Sequence, residues 1–230
     1  MHQADYSAGE VILINKPYKW TSFDVVSKIK WLLKSKLKIK TKVGHAGTLD
    51  PLATGLLIVC TGKFTKKIDS YQVLEKEYTG TFFLGSTTPS FDLESAIDKT
   101  FPTDHITDLL IGQASKKFIG TLKQTPPIFS AVKINGERAY EMARRGEKPV
   151  ILSREVNISE FEITAINLPH ITFRVVCSKG TYIRSLAMDF GIALQSGAHL
   201  TSLCRTRIGD FKIQDAIDIN HFEKINSTIN

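Results

Sequence analysis

Asp50 is the residue whose surroundings most strongly suggest chemistry. It lies in the segment 44–55, which reads GHAGTLDPLATG. A lone carboxylate among many lysines stays ionised and is available as a nucleophile or a general base. The two glycines that flank His45 let the backbone approach a ligand closely. An aspartate followed by proline is also typical of a helix N-cap, with Pro51 at the first helical position. On spacing alone the cap is the commoner role, so both interpretations stay open.

Lysines surround this carboxylate in the sequence. Residues 25–68 contain ten lysines and one acidic residue, a net charge of +9, whereas the whole chain carries +7. From Lys34 to Lys42 every second residue is a lysine, and an extended segment would present these side chains on one side. Such a run is usually a solvated loop, but it can also bind phosphates and release their counterions. The local charge makes a polyanionic partner a competitive hypothesis.

The overall composition is that of a globular protein. The chain has 230 residues, 42% of them hydrophobic and 23% charged, which excludes a disordered tail and a collagen-like repeat. Its three cysteines form no CxxC pair, and the odd number argues against a disulfide framework. No segment resembles a secretory signal or is long enough to cross a bilayer. We therefore expect a cytoplasmic protein with reduced cysteines, no metal site and no membrane anchor.

A helix is predicted shortly before the lysine run. Thr21 and Asp24 have the spacing of a capping box, which marks the start of a helix. The helix should run to about residue 33, with Val25, Ile29 and Leu32 on its buried face. It would fix the position of the chain that leads towards Asp50.

The remaining elements are predicted from hydrophobic periodicity. Strands are expected at 11–14, 56–60, 78–84 and 171–177, and helices at 104–119, 137–145 and from Tyr182 onward. The apolar set of the helix at 104–119 is Ile106, Leu109 and Leu110, and that of the last helix is Ile183, Ala187, Phe190 and Leu194. Strands and helices are interspersed without a regular βαβ rhythm, which favours an α+β fold.

Several segments resemble the motifs of one known family. The segment 44–57, GHAGTLDPLATGLL, is similar to the signature of the TruB family of tRNA pseudouridine-55 synthases, whose catalytic aspartate falls on Asp50. Further matches are NKP at 15–17 with WTS at 20–22, KEY at 76–78, FSAVK at 129–133, CSKGTYIR at 177–184 and GAHL at 197–200. The resemblance runs from about residue 10 to 210.

The resemblance implies a fold, a partner and a reaction. The fold would be the pseudouridine synthase fold, an α+β architecture with a central mixed, mostly antiparallel sheet flanked by helices and loops. A thumb-like insertion at about 125–150 would close over the T-stem loop of tRNA. Residues 1–230 would form a single catalytic domain without a full C-terminal PUA domain. The enzyme would isomerise uridine-55 of tRNA by base flipping, without a cofactor or metal and as a monomer.

The resemblance also assigns the site residues. The catalytic residues would be Asp50, Tyr78 and Arg184. Asp50 would be the nucleophile, Tyr78 would stack on the flipped base and could handle a proton, and Arg184 would pair with the catalytic aspartate. Tyr182 and Leu203 would line the base pocket, His45 would contact the RNA loop, and Lys16 would contact a phosphate or the edge of the active site. Without the resemblance, the tyrosines and Leu203 would be taken as core residues and Arg184 as a surface arginine.

Two positions depart from the family pattern, and two other functions compete. Ser95 replaces the glycine of a D-x-x-G motif that begins at Asp92, and Cys204 stands where an arginine is common. A non-catalytic RNA-binding protein or tRNA chaperone could use the same basic segment. An aspartyl hydrolase or phosphotransferase is disfavoured, because no D-x-D pair lies near Asp50 to bind Mg²⁺.

Overall fold

Helices and strands are interspersed irregularly along the chain, as expected for the α+β class. The computed structural model describes residues 5–147 and 149–227. The strands are β1 Val11–Lys16, β2 Val43–His45, β3 Thr54–Thr61, β4 Lys76–Leu84, β5 Ser86–Thr87, β6 Lys99–Thr100, β7 Gly120–Gln124, β8 Lys133–Ile134, β9 Glu137–Arg138, β10 Arg154–Asn167, β11 His170–Cys177, β12 Ala198–Ile208 and β13 Phe211–Lys212. The helices are α1 Ser22–Ser35, α2 Ile68–Gln72, α3 Asp108–Lys116, α4 Ala139–Arg144, α5 Ile183–Ala193 and α6 Ile219–Ser227, with 3-10 turns at Gly62–Lys67 and Ile213–Asp215.

The chain packs into two compact units. Unit 1 contains the described residues up to Tyr78 and those from Leu203 onward, and unit 2 is Thr79–Ser202. The boundaries fall inside β4 and inside β12. The single domain over residues 1–230 stays a prediction.

Strand β3 is the centre of unit 1. It pairs antiparallel with β1 and β2 and parallel with β12, so the sheet is mixed. Both of its faces are buried: Leu57 and Val59 pack into one apolar cluster, and Leu56, Ile58 and Cys60 pack into another. A strand covered on both sides needs a continuous apolar run, which the sequence supplies from residue 56 to 60.

Helix α1 covers one face of this sheet and begins as predicted. The Thr21 hydroxyl accepts a hydrogen bond from Asp24 N at 3.0 Å, and Thr21 N donates to the Asp24 carboxylate at 2.8 Å. These bonds complete the capping box, and the Thr21 hydroxyl lowers the pKa of Asp24. Val25, Ile29 and Leu32 are buried against β1 and β3, as the periodicity predicts.

Unit 2 has an aromatic core beside an antiparallel sheet. Its strand order is β12, β4, β11, β10 and β7, and β10 pairs antiparallel with both β11 and β7. Phe82 stacks on Phe173 with ring centroids 4.1 Å apart, and Phe190 of α5 lies 5.7 Å from Phe82. The predicted apolar stripe of α5 is buried along its whole length, so this helix is fixed firmly on the core.

The prediction for α3 is wrong in its apolar face. Thr107 caps the helix through a hydrogen bond from Leu110 N, so α3 begins at Asp108 rather than at residue 104. This start turns Ile111 and Ala114 inward, while Leu109 is 71% exposed. Of the predicted set, Ile106 is buried but precedes the helix, and Leu109 and Leu110 are exposed.

Candidate active site

Asp50 lies in a loop of unit 1 and does not cap a helix. Residues 46–53 connect β2 to β3, and the carbonyl of Asp50 accepts a hydrogen bond from Ala53 N at 3.1 Å, which closes a turn. Strand β3 begins at Thr54, directly after this turn. The N-cap interpretation is wrong, because the apolar run after Pro51 pairs with β1 as a strand and leaves no residues for a helix.

Two neighbouring elements fix the Asp50 loop. The Ser22 hydroxyl, at the start of α1, accepts a hydrogen bond from Leu49 N at 2.8 Å and donates one to Leu49 O at 3.3 Å. Ala46 N donates to Ile58 O of β3 at 2.9 Å. The chain on the N-terminal side of Asp50 is therefore tied to α1 and β3, an arrangement that would suit a preorganised carboxylate.

Lys16 is a buried cation beside the loop. Its Nζ donates to the carbonyls of Pro17 at 3.0 Å and Pro51 at 3.3 Å, and to that of Trp20. Burial lowers the pKa of Lys16 to about 8, while the negative charge of Asp50 opposes this shift. Its three N–H groups are all directed at carbonyls, which does not favour the predicted contact of Lys16 with a phosphate.

Arg205 is a second buried cation in this unit, and the sequence analysis did not assign it a role. Its Nε donates to Leu56 O at 2.8 Å and its Nη2 donates to Gly47 O at 3.0 Å. Arg205 therefore links β12 to β3 and to the loop that contains Asp50. Gly55 is required here, because a Cβ would collide with the backbone of Arg205 and its φ is +105°. The signal for Arg205 was its position two residues after Leu203.

His45 ends strand β2, opposite Val59 of β3. Burial, and then the positive charge of Arg205, hold the pKa of His45 below its usual value. The imidazole is therefore neutral near pH 7 and can donate from one ring nitrogen while it accepts at the other. The predicted contact with an RNA loop would then use hydrogen bonds rather than charge.

Tyr78 and Leu203 are both buried in unit 1. The Thr54 hydroxyl donates to Leu203 O at 3.4 Å, so Leu203 lies next to the end of the Asp50 loop. On β12, the Thr206 hydroxyl donates to Glu77 O at 3.3 Å, which holds the residue before Tyr78 beside β12. Unit 1 therefore contains five of the predicted site residues: Lys16, His45, Asp50, Tyr78 and Leu203.

Arg184 lies in unit 2, in the first turn of α5, where it is buried. Its Nε is 3.6 Å from Asp92 Oδ2, and its Nη1 donates to Phe129 O at 3.0 Å and to Ser90 O at 3.3 Å. Tyr182, the N-cap residue of the same helix, is half-buried. The sequence did not predict Asp92 as a partner of Arg184, although the motif that contains it stands out for its unusual serine.

Residues 34–183 match the N-terminal domain of the TruB family pseudouridylate synthases. The chain belongs to the TruB family. It is 61% identical to the tRNA pseudouridine synthase B of Flavobacterium johnsoniae over 97% of this chain and 99% of that protein. With the tRNA pseudouridine synthase B of Phocaeicola vulgatus the identity is 55%, over 95% of this chain and 93% of that protein.

Solved structures of other proteins share the fold of this TruB family member. A chain of a Cbf5-Nop10-Gar1 complex superposes with a TM-score of 0.72 at 31% identity, over 95% of this chain and 54% of that chain. A chain of an H/ACA RNP bound to a substrate RNA containing 2'-deoxyuridine superposes with a TM-score of 0.70 at 28% identity, over 95% and 53%. This chain thus spans about half the length of these structures, and the expected fold is confirmed.

Ser95, the residue that departs from the TruB pattern, closes the loop beside Arg184. Its hydroxyl accepts from Ser90 N at 2.9 Å and lies 2.7 Å from the Ser90 hydroxyl, which in turn accepts from Ser95 N at 3.2 Å. Ser90 also donates to Asp92 O at 3.2 Å. The serine therefore adds hydrogen bonds to the loop that contains both the carboxylate and a carbonyl acceptor of Arg184.

The lysine arm, residues 34–42, has the alternation that the sequence predicts. Its five lysines are exposed, whereas Leu37 and Ile39 between them pack against the core of unit 1. The segment is extended only in part, because α1 ends at Ser35 and Lys38 has a φ of +58°. Leu37 and Ile39 therefore anchor the lysine arm to the core, and its lysines point to solvent.

The predicted thumb, residues 125–150, is a hairpin followed by a short helix, with residue 148 outside the described part. Strands β8 and β9 pair through Lys133–Arg138 and Ile134–Glu137, and the two-residue turn Asn135-Gly136 has positive φ at both positions. This is the backbone of a type I′ turn, which asparagine and glycine favour. The expected helix at 137–145 is observed as α4, Ala139–Arg144.

The described residues, 5–147 and 149–227, contain no cluster typical of a metal site and no helix typical of a membrane span. Within these residues, no three or more His, Cys, Asp or Glu side chains are grouped so that they could hold a metal ion. None of the helices described there has the length and apolar content that a bilayer crossing requires.

Proposed function

We propose that this chain is a tRNA pseudouridine synthase that converts uridine-55 of the T-loop to pseudouridine, with Asp50 as the nucleophile. The observation that carries the proposal is the Asp50 loop, a TruB signature held between α1 and β3 with its carboxylate beside a buried cation. The names of relatives that are 55–61% identical over nearly the whole chain support the same reaction.

The reaction is an isomerisation and needs no net oxidant, reductant or water. The bond between N1 of uracil and C1′ of ribose breaks, the base turns, and a bond between C5 and C1′ forms. The C5 hydrogen leaves as a proton and N1 gains a proton. A carboxylate nucleophile such as Asp50 would hold a covalent intermediate between the two bond changes, so the chemistry requires neither a cofactor nor a metal.

The other residues would bind and orient the flipped uridine. In this proposal Tyr78 stacks on the base, while Tyr182 and Leu203 line its pocket. Extrusion of a base costs a few kcal/mol, and contacts to the backbone of the T-stem loop offset that cost. Neutral His45, the lysine arm and the thumb would supply such contacts.

Arg184 would orient the reacting groups as a buried guanidinium. Family resemblance pairs it with the catalytic aspartate, and within unit 2 its position is set by Asp92 and two carbonyls. Lys16 would hold the loop through Pro51 O and place a positive charge near Asp50. We also propose that the enzyme works in the cytoplasm as a monomer.

Tritium release tests the reaction directly. Unmodified tRNA labelled with tritium at C5 of uridine should release label to water when the enzyme is added, because the C5 hydrogen is lost. Asp50→Asn should reduce release to background while tRNA affinity stays within about threefold of the parent. Asp69→Asn, at an exposed position of α2 in the same unit, is the matched control and should release label like the parent.

Two outcomes would overturn the proposal. A folded parent protein that binds tRNA but releases no label would favour a non-catalytic tRNA chaperone. Release that persists when position 55 of the tRNA is changed to cytidine would assign the activity to another uridine.

A further inference from the structure

Gln124 holds the start of α5 through two hydrogen bonds to a single residue. It is the last residue of β7 and is 3% exposed. Its Oε1 accepts from Tyr182 N at 2.7 Å, and its Nε2 donates to Tyr182 O at 3.0 Å. The side-chain amide thus imitates a neighbouring strand and satisfies both backbone groups of Tyr182.

This contact matters because α5 has no side-chain cap of its own. Tyr182 is the N-cap residue, with extended φ and ψ of −97° and 112°, and its side chain makes no capping bond. Its carbonyl also accepts the first helical bond, from Leu186 N at 3.0 Å. The direction in which α5 starts, and with it the place of Arg184 two residues later, depends on how the backbone of Tyr182 is held.

The same segment makes two more bonds to the first turn of α5. The Ser185 hydroxyl donates to Thr125 O at 2.7 Å, and Arg184 Nη1 donates to Phe129 O at 3.0 Å. Residues 124–129, where the chain leaves β7 and enters the thumb, therefore contact Tyr182, Arg184 and Ser185. One group of hydrogen bonds therefore positions both residues 124–129, where the thumb begins, and Arg184.

We propose that Gln124 is a positioning residue for pseudouridine formation, acting through Tyr182 and Arg184. The proposal rests on the function proposed above. Gln124 does not touch the substrate; it keeps the Tyr182 ring and the Arg184 guanidinium in the places that the flipped uridine requires. Small displacements of such groups reduce the rate of the chemical step more than they weaken binding.

A change of glutamine to glutamate separates positioning from packing. In Gln124→Glu one carboxylate oxygen can still accept from Tyr182 N, but the other faces Tyr182 O and repels it. Protonation of the carboxyl restores a donor, and burial moves that protonation towards neutral pH. If Gln124 positions Tyr182, the loss of kcat in Gln124→Glu should depend on pH. If the variant only loses packing, the loss of kcat should be the same at every pH.

The experiment compares tritium release by the parent and three variants between pH 5.5 and 8.5. At pH 8, we expect kcat of Gln124→Glu to fall at least tenfold with a change in KM for tRNA below threefold. At pH 5.5, its kcat relative to the parent should recover at least fivefold. Gln124→Met, which lacks both polar groups, should be impaired without recovery. Gln113→Glu, at an exposed position of α3 in the same unit, should match the parent at every pH.

The failures are distinguishable. If the parent releases label and Gln124→Glu matches it at every pH, Gln124 has no positioning role and the proposed function stands. If kcat of Gln124→Glu falls equally at every pH with a lower Tm, the role of Gln124 is structural only. If the folded parent releases no label, both proposals fail together.

Discussion

Lys16 and Arg205 in unit 1 and Arg184 in unit 2 are all buried cations, but they are held differently. The hydrogen bonds given above for Lys16 and Arg205 all end on backbone carbonyls. Arg184 has carbonyl acceptors too, but it also lies 3.6 Å from the buried carboxylate of Asp92. Lys16 also feels the negative charge of Asp50, but the hydrogen bonds given for the two unit 1 cations are to carbonyl dipoles, whereas Arg184 combines carbonyl dipoles with an adjacent carboxylate.

The difference has an energetic consequence. Removal of a cation that is bound by carbonyls leaves neutral acceptors, each costing about 1–3 kcal/mol if it stays unsatisfied. Removal of a cation that is paired with a buried carboxylate leaves an uncompensated charge, which costs about 3–5 kcal/mol. Arg184 and Arg205 each donate to two carbonyls, but of the two, within the described residues, only Arg184 also lies beside a buried carboxylate, so Arg184 should tolerate substitution less well than Arg205.

The largest expected effect is that of Arg184→Met. We expect the free energy of unfolding to fall by about 3–5 kcal/mol at pH 7, because the buried carboxylate of Asp92 then loses its cation and keeps the hydrogen bond from Glu94 N. Urea unfolding measures this loss. The double variant Asp92→Asn/Arg184→Met should recover part of it, because the asparagine carries no charge. Additive losses in the double variant would show that Asp92 and Arg184 are not coupled.

The second effect concerns the exposed charge of unit 1 rather than its buried charge. Replacement of Lys36, Lys38, Lys40 and Lys42 by glutamine should weaken tRNA binding roughly tenfold to a hundredfold at 0.1 M salt. The plot of log affinity against log salt should become less steep by about 3, since each lost phosphate contact removes about 0.7–0.9. Filter binding at several salt concentrations measures both quantities.

A control with the same charge change tests whether the lysine arm is special. Glutamine at four other exposed lysines leaves the arm intact: Lys99, Lys116, Lys117 and Lys212. The salt slope of this control should change by less than about 1. If the slope of log affinity against log salt is the same in the two variants, the lysine arm is a solvated loop without a special role in binding tRNA.

The third effect is the pH dependence of the contribution of Lys16 to stability. Its pKa is about 8 in the folded protein and 10.5 for an ordinary lysine, so between these values the unfolded chain binds a proton that the folded chain releases. Raising the pH through this window therefore stabilises the folded state relative to the unfolded state. Below pH 8 Lys16 is protonated in both states, and this gain in stability is absent. From pH 7.5 to 9.5, the unfolding free energy of the parent should rise by about 1–2 kcal/mol relative to Lys16→Met.

Exposed Lys30 on α1 provides the control for Lys16. Lys30→Met should follow the parent over the same pH range, because an exposed ammonium is not desolvated. If the curves of the parent and Lys16→Met stay parallel, burial does not perturb the amine.

The contrast between the two units also explains what could be predicted from the sequence. Local patterns predict the start of α1 from its capping box and the buried apolar face of α5, because both features depend on residues within four positions of each other. Asp50 was found from a motif, although its spacing alone favoured a cap; only pairing of β3 with β1 excludes the helix. Arg205 and Asp92 depend on contacts with residues 90–160 positions away, and no local pattern reports such contacts.

The smallest expected effect is that of Ser95→Ala in the loop of unit 2. The alanine removes the acceptor of Ser90 N, and a lost hydrogen bond of this kind costs about 1 kcal/mol. Tritium release should fall about threefold, because the loop that holds Asp92 and the Ser90 carbonyl beside Arg184 becomes less ordered. Ser153→Ala, at an exposed position of unit 2, should leave stability and release unchanged. If Ser95→Ala also matches the parent, the loop is ordered without the Ser95 hydroxyl, and the carboxylate of Asp92 remains the main difference between the two ways of holding a buried cation.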